Sequence, residues 1–372
     1  MKVLVTGAKG FVGKNLIAHL SERKDIEVVS FTRDEALDDL GRLLGDVDFV
    51  FHLAGVNRPQ DPQEFQVGNT DLTRALCEAI AASGRKVPVL YTSSSQAELD
   101  NDYGKSKRGA EEALIAFGEK AGVPVHIFRL PNVFGKWGRP NYNSAVSTFC
   151  HNIARGLEIT ISNPAANINL VYIDDVVAHF IAVMDGQLAG NPFVAVDPQY
   201  SISVGELAEQ LYAFRDSRES LITEAVGTGL TRALYSTYLS YLPPASFTYE
   251  VKGYTDPRGT FVEMLKTKDA GQFSYFTAHP GVTRGGHYHH SKTEKFLVIK
   301  GTANFGFRHI ETGEFYELVT TGDKPEIVET VPGWTHDITN IGEQEMIVML
   351  WANEIFDREH PDTYALPVKP SH

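Results

Sequence analysis

Val3-Leu4-Val5-Thr6-Gly7-Ala8-Lys9-Gly10-Phe11-Val12-Gly13 stands at the start of the chain, followed by Lys14-Asn15-Leu16-Ile17-Ala18-His19-Leu20. An apolar run stopped by glycine and continued by a helix-like segment reads as strand, turn, helix. Glycines 7, 10 and 13 permit a tight turn, let backbone N–H groups approach a pyrophosphate, and let the helix pack closely on the strand. The helix N-terminus then faces the phosphates with its partial positive charge. The spacing is Gly-x2-Gly-x2-Gly rather than Gly-x-Gly-x2-Gly.

Working outward, Glu27-Val28-Val29-Ser30-Phe31 reads as a second strand, ending at Thr32-Arg33-Asp34. An acid at such a strand tip binds a ribose diol, whereas an arginine accommodates a 2′-phosphate. Arg33, with Lys9 in the glycine turn, therefore points to NADPH, although Asp34 stands beside it. A third strand runs through Phe49-Val50-Phe51-His52 to Leu53-Ala54-Gly55, whose small residues leave room for a cofactor at the carboxyl end of the sheet. His52 is expected to be a strand-end structural residue. Residues 69–82 have the pattern of an amphipathic helix, with Leu72, Leu76 and Ile80 on one face. A strand over residues 87–91 then leads into Thr92-Ser93-Ser94-Ser95. Shortly after comes Tyr103-Gly104-Lys105-Ser106-Lys107, which sets a phenol and an ammonium one helical turn apart. The cation is expected to lower the Tyr103 pKa, as suits a proton donor to an oxygen whose carbon receives hydride.

The 372 residues predict two or three domains, and 42% hydrophobic with 22% charged residues fits a chain with a real core. The net charge of −13 argues against nucleic acid or an anionic membrane surface as partner. Two cysteines, Cys77 and Cys150, offer no disulfide framework. With no signal-like start and no apolar run of about 18 residues, the expected location is the cytoplasm.

Together, the glycine turn, His52-Leu53-Ala54-Gly55, the serine run and Tyr103/Lys107 resemble the extended short-chain dehydrogenase/reductase family, over roughly residues 1–242. Arg129-Leu130-Pro131-Asn132-Val133-Phe134-Gly135 and Leu170-Val171-Tyr172-Ile173-Asp174-Asp175-Val176 resemble two further stretches of it. The resemblance implies an α/β Rossmann-type fold, a nicotinamide cofactor and a nucleotide-diphosphate sugar. Carried over, Tyr103 donates the proton, Lys107 lowers its pKa and holds the nicotinamide ribose, and Ser94 polarises the carbonyl, with Ser93 and Ser95 as rivals. The cofactor set is Gly7, Lys9, Gly10, Phe11, Val12, Gly13, Arg33, Leu53, Ala54, Gly55, Thr92, Tyr103 and Lys107. Ser94 and Asn132 would touch the sugar. The family's 4,6-dehydratases place an acid directly after the catalytic hydroxyl; here Ser95-Gln96-Ala97 follows, which favours plain reduction.

Pro243-Pro244-Ala245-Ser246 ends a helical region. The expected domains are 1–246, containing a small substrate subdomain at about 165–242, and 247–372. The second reads as an all-β barrel of short runs with Gly and Pro turns. Within it, His287 and His289 share one face of a strand, Glu294 follows a turn, and Pro332-Gly333-Trp334-Thr335-His336 offers a third imidazole. His287, His289, Glu294 and His336 make a set for one divalent metal, whereas His290 faces the other way. These stretches resemble the two cupin motifs, the jelly-roll barrel family.

A reductase followed by a metal cupin resembles the bifunctional capsular-polysaccharide and O-antigen enzymes of UDP-N-acetyl-L-fucosamine synthesis. That resemblance implies C3-epimerisation of a UDP-2-acetamido-2,6-dideoxy-4-hexulose in the cupin. NADPH reduction of the C4 ketone then gives UDP-2-acetamido-2,6-dideoxy-L-talose. It also implies zinc and a homodimer. The metal is either catalytic or structural; Tyr288, Lys295, Trp334 and Asp337 lie near its motif in sequence, but sequence proximity names no acid or base. Two other readings stand: a single-activity reductase with a structural or dimerising cupin, and a redox-neutral UDP-sugar 4-epimerase.

Overall fold

The computed structural model describes residues 1–188, 192–256, 259–262, 264–267, 271–354 and 359–369. They form two compact units, Met1–Arg139 with Ile168–Ser201, and Pro140–Asn167 with Ile202–His372.

In the first unit the chain runs β1 (Lys2–Thr6), α1 (Phe11–Ser21), β2 (Glu27–Phe31), α2 (Asp39–Leu43) and β3 (Phe49–His52). It continues through α3 (Gln63–Phe65), α4 (Leu72–Ala82), β4 (Val89–Ser94), α5 (Asp102–Ala121) and β5 (Val125–Leu130). The five strands make one sheet in the order β2-β1-β3-β4-β5, every pair parallel. Val3, Leu4, Val5, Val50, Phe51, Val89 and Leu90 are fully buried, as central strands covered on both faces require. The expected helix over 69–82 begins only at Leu72, because Gln66–Asp71 takes a π-helical turn. Asn69 locks that turn to the chain beyond β3, accepting from the Val56 N–H at 2.9 Å and donating to the Val56 carbonyl at 2.9 Å. Helix α5 starts where Asn101 accepts from the Gly104 N–H. A Cβ on Gly104 would lie 2.3 Å from the Gln96 carbonyl oxygen. Glycine thus lets the first turn of α5, which carries Tyr103 with Lys107 one turn on, press onto the loop that follows β4.

A small sheet of β6 (Asn132–Phe134), β7 (Asn167–Tyr172) and β8 (Tyr200–Ser203) follows, with helices α6 (Ala145–Ile153) and α7 (Ile173–Met184) between its strands in sequence. Helix α8 (Val204–Ser220) opens with a capping box between Ser203 and Glu206. The helical region expected to stop at Pro243 ends in α9 (Gly229–Ser240). Leu221, at φ 58, is the left-handed cap that ends α8, and the β-branched pair Ile222–Thr223 forms the short strand β9.

The remainder of the second unit is mostly β. Its strands are β10 (Thr248–Glu250), β11 (Gly253–Asp256), β12 (Gly259–Val262), β13 (Lys266–Thr267), β14 (Gln272–Ala278), β15 (Thr283–Tyr288) and β16 (Glu294–Lys300). After these come β17 (Thr302–His309), β18 (Phe315–Thr321), β19 (Glu326–Glu329), β20 (Trp334–Asn340), β21 (Met346–Ala352) and β22 (Tyr364–Ala365). Two five-stranded sheets result, β10-β19-β16-β21-β14 and β18-β17-β20-β15-β22. The expected boundary at 246/247 falls inside this unit, between its helices and its strands. A buried network bridges the two parts. Lys295 of β16 pairs with Glu329 of β19 and donates to the Tyr249 hydroxyl at 3.0 Å, while Arg218 of α8 reaches Glu329 at 2.8 Å.

Candidate active sites

In the first unit, Gly7 has φ +68, and a Cβ there would sit 2.7 Å from the Ala54 nitrogen. A Cβ on Gly13 would lie 2.4 Å from the Gly7 carbonyl oxygen. Glycine is therefore required for β1, α1 and the chain beyond β3 to meet. Beside this turn lies a cleft of about 830 Å³ lined by Gly7, Lys9, Gly10, Arg33, Leu53, Ala54 and Gly55, all expected there. Phe31, Thr32, Asp34, Val56, Val67 and Arg139 also line it. Of these, the sequence offers a signal for Thr32 and Asp34 alone, through their place at the tip of β2. Phe11, Val12 and Gly13 belong to the first turn of α1 and are not part of the lining. Lys9 pairs with Asp34 at the surface. Arg33 is exposed and has no ion pair among the described residues. His52 is buried in a structural role, its ring nitrogens 2.8 Å from the Thr6 hydroxyl and 2.9 Å from that of Thr73.

Lys107 is buried, its ammonium donating to the Thr92 carbonyl at 2.9 Å and lying 4.8 Å from the Tyr91 ring centre. A Cβ on Gly55 would come within 3.1 Å of Nζ, so the ammonium reaches the edge of the cleft. Burial pulls Lys107 down to about 8, against an opposing pull from Glu111 one turn along α5. Tyr103 does not behave as expected. Burial raises its phenol, a hydrogen bond with Ser94 opposes that rise, and Lys107 is not among the causes. The ammonium is turned toward the Thr92 carbonyl and the Tyr91 face, which accounts for the missing influence. Among the serines, Ser93 donates to buried Glu111, which Arg129 grips with two bonds, at 3.0 and 2.6 Å. Ser95 is exposed. Ser94 alone of the three meets the phenol. Asn132 is exposed on β6 and donates to the Asn169 carbonyl at 3.1 Å.

In the second unit, β15, β16 and β20 bring His287, His289, Glu294 and His336 together, each offering one ligand atom within 4.8 Å of the others. Glu294 Oε2 lies 3.2 Å from His289 Nε2 and 3.5 Å from His336 Nε2. Buried His336 has no hydrogen-bond partner for either ring nitrogen among the described residues. Burial and the neighbouring imidazoles hold His287 down at about 3, so it is neutral. Three imidazoles and a carboxylate converging this way, with ring nitrogens left unsatisfied, fit a divalent metal. His290 packs instead on Tyr288 and Tyr364.

The set opens on a pocket of about 190 Å³ walled by Phe276, Phe296, Phe305, Ile338 and Leu350, with Arg284 at its rim. Of the four residues near the motif in sequence, Asp337 alone is in its lining. Lys295 is committed to Glu329, and Trp334 packs on Phe247. Tyr288 stacks on Tyr364. Asp337 borders the pocket, yet strand alternation from His336 sends its carboxylate outward, where a Cβ on Gly306 would meet it at 2.8 Å. Lys292, which the sequence gave no reason to single out, is buried with Nζ 2.9 Å from Glu294 Oε1.

Residues 3–195 match the NAD dependent epimerase/dehydratase family, and residues 254–364 match a polysaccharide biosynthesis C-terminal domain. The chain is 70% identical, over 99% of both chains, to a Pseudomonas aeruginosa protein named UDP-2-acetamido-2,6-beta-L-arabino-hexul-4-ose reductase. A crystal structure of the capsular polysaccharide assembling protein CapF from Staphylococcus aureus matches 99% of this chain and 100% of its own, with a TM-score of 0.69 and 41% identity. Across 59% of this chain and 83% of its own, a UDP-glucuronic acid 4-epimerase from Bacillus cereus shares the fold, with a TM-score of 0.51 and 20% identity.

Proposed function

Because the chain belongs to the NAD dependent epimerase/dehydratase family, we propose that it acts on a UDP-2-acetamido-2,6-dideoxy-4-hexulose in two steps. The first is epimerisation at C3 in the β domain, read as a cupin. The second is reduction of the C4 ketone to the L-talo product, in the service of surface polysaccharide synthesis. The observation that carries the reduction is a Tyr103 phenol influenced by Ser94, one helical turn from a buried Lys107 whose ammonium reaches the edge of a glycine-walled cleft, in a chain 70% identical to a protein named as a 4-hexulose reductase.

NADPH supplies the hydride when bound. Tyr103 gives its proton to the C4 oxygen as the carbon is reduced, and Ser94, the serine that influences the phenol, polarises that carbonyl. Lys107 holds the cofactor's ribose from the cleft edge and places a positive charge near the reacting oxygen. Arg33 selects the 2′-phosphate: it is the cation at the β2 tip with no ion pair among the described residues, whereas Lys9 is tied to Asp34.

The order follows from the substrate. Its C3 hydrogen is acidic only while the C4 ketone persists, so epimerisation precedes reduction. His287, His289, Glu294 and His336 would hold a zinc ion, whose chemistry there is stabilisation of negative charge developing on oxygen. The aromatic walls of the pocket exclude water and suit a deoxy sugar.

The test uses the intact protein with the 4-keto sugar. Without NADPH in deuterium oxide, deuterium enters C3, and His287→Ala abolishes that entry. With NADPH, one equivalent is oxidised per ketone, and Tyr103→Phe stops it. No deuterium in the wild type sinks the epimerase; turnover without net NADPH consumption sinks the reductase.

A further inference from the structure

We infer that Asp362 is a positioning residue for the metal-binding set, acting from far along the chain through the turn that carries His289. The inference rests on the reading of His287, His289, Glu294 and His336 as ligands. Asp362 contributes in two ways. Its carboxylate accepts three successive backbone N–H groups, from His290 at 2.8 Å, Ser291 at 2.7 Å and Lys292 at 2.7 Å, and from the Ser291 hydroxyl at 3.1 Å. Its backbone carbonyl accepts from His289 Nδ1. A carbonyl cannot donate, so Nδ1 must carry the ring proton, and the lone pair is left on Nε2. That nitrogen is the one 3.2 Å from Glu294 Oε2. A single residue therefore fixes both the tautomer and the aim of His289.

The same clamp reaches Glu294. Lys292, whose N–H Asp362 holds, turns its ammonium onto Glu294 Oε1 at 2.9 Å. This leaves Oε2 to face His289 and His336. The far side of Glu294 is also fixed, its N–H donating to the Thr330 hydroxyl at 2.8 Å. Partners of this kind behind the ligands orient them and raise their basicity, and losing one typically costs about 10–100-fold in metal affinity. Asp362 faces the positive ends of three peptide dipoles, an arrangement that suits a carboxylate acceptor.

The experiment is metal affinity, measured by competition with a chromophoric chelator using cobalt(II), together with the visible spectrum of the cobalt-loaded protein. The full-length wild type takes up one cobalt. Asp362→Ala loosens binding by about 10–100-fold and changes the spectrum, because His289 and Glu294 are no longer held to one geometry. Asp362→Asn keeps one acceptor oxygen and falls between the two. If Asp362→Ala fails to fold, as near-UV circular dichroism reports, the Asp362→Asn measurement decides. A folded Asp362→Ala protein, or failing that Asp362→Asn, that binds cobalt within about threefold of wild type, well inside the span expected for losing a supporting partner, with an unchanged spectrum overturns the proposal. A wild type that takes up no cobalt overturns the metal reading itself, and the clamp with it.

Discussion

Two lysines, one in each unit, are equally hidden from water and have opposite fates. Lys107 on α5 is buried against a backbone carbonyl and a tyrosine face, with no ion pair among the described residues, and burial draws it down to about 8. Lys295 on β16 is buried as well, but the carboxylate of Glu329 more than offsets burial and raises it well above its ordinary value. Arg218 and Tyr249 complete the second group. A buried charge without a counter-charge is held at a cost, and the fold retains it where a ligand will use it. A buried charge with its counter-charge is a joint, here between the helices of the second unit and its sheets. On the proposed function the first lysine serves chemistry, while the second serves architecture.

The strongest way to break that assignment is to remove each site's polar group and watch which property fails. Tyr103→Phe and Lys107→Met should each lower ketone reduction by about 10²–10⁴-fold, with little change in the unfolding midpoint. Steady-state NADPH oxidation beside thermal unfolding reads both. Lys295→Met should do the reverse. It leaves buried Glu329 with Arg218 as its charged partner and the Tyr235 hydroxyl as a further donor, at a cost of about 3 kcal/mol, the low end for a broken buried pair because a charged partner remains. The outcome that breaks the comparison is a Lys295→Met protein as stable as wild type, or a Lys107→Met protein that melts early while still reducing ketone.

A pH profile sharpens the same point. Lys107 is lowered, so it sheds its proton as pH rises through about 8. On the proposed function, the charged form is the one that binds ribose. Reduction measured as kcat/KM should therefore be level below about 8 and fall roughly tenfold per pH unit above it. Lys295 contributes no limb in that range, because its partner holds the charge. A profile flat to pH 10 would mean that Lys107 is charged throughout, and the contrast between the lysines would shrink to one of position.

How much of this was legible beforehand follows from how local each feature is. The glycine turn, the parallel strands and the His-x-His pair are written in short spacings that the backbone reads directly, and Tyr103 with Lys107 needs only one helical turn. Ser93 stood as a rival to Ser94 because the sequence does not show that Ser93 donates to Glu111. The π-helical turn before α4 hinges on Asn69 reaching back to Val56. The Lys295–Glu329 pair joins neighbouring strands 34 positions apart, and Asp362 clamps a turn 70 to 72 positions away. Spacing carries no trace of such contacts. The expected pull of Lys107 on Tyr103 failed for a related reason: sequence gives the distance along a helix, not the carbonyl toward which an ammonium turns.

The smallest effect carries the comparison to the surface. Lys9 and Arg33 both line the cleft, but Lys9 is paired with Asp34, and that pairing lowers the Asp34 carboxyl. By the logic of the buried lysines, the paired cation belongs to the fold and the other is available for a ligand. Arg33→Ala should raise the KM for NADPH by about tenfold, the worth of one charge-assisted contact at an exposed site. It should leave the KM for NADH nearly unchanged, because NADH has no 2′-phosphate to lose. Lys9→Ala should do less to NADPH, since it also frees Asp34, whose negative charge repels a phosphate and accepts from a ribose diol. The informative quantity is the ratio of the two cofactors' kcat/KM in each variant. If Lys9→Ala shifts that ratio more than Arg33→Ala does, the paired lysine is the selective one, and the distinction drawn from Lys107 and Lys295 holds only in the interior, where water cannot screen a charge.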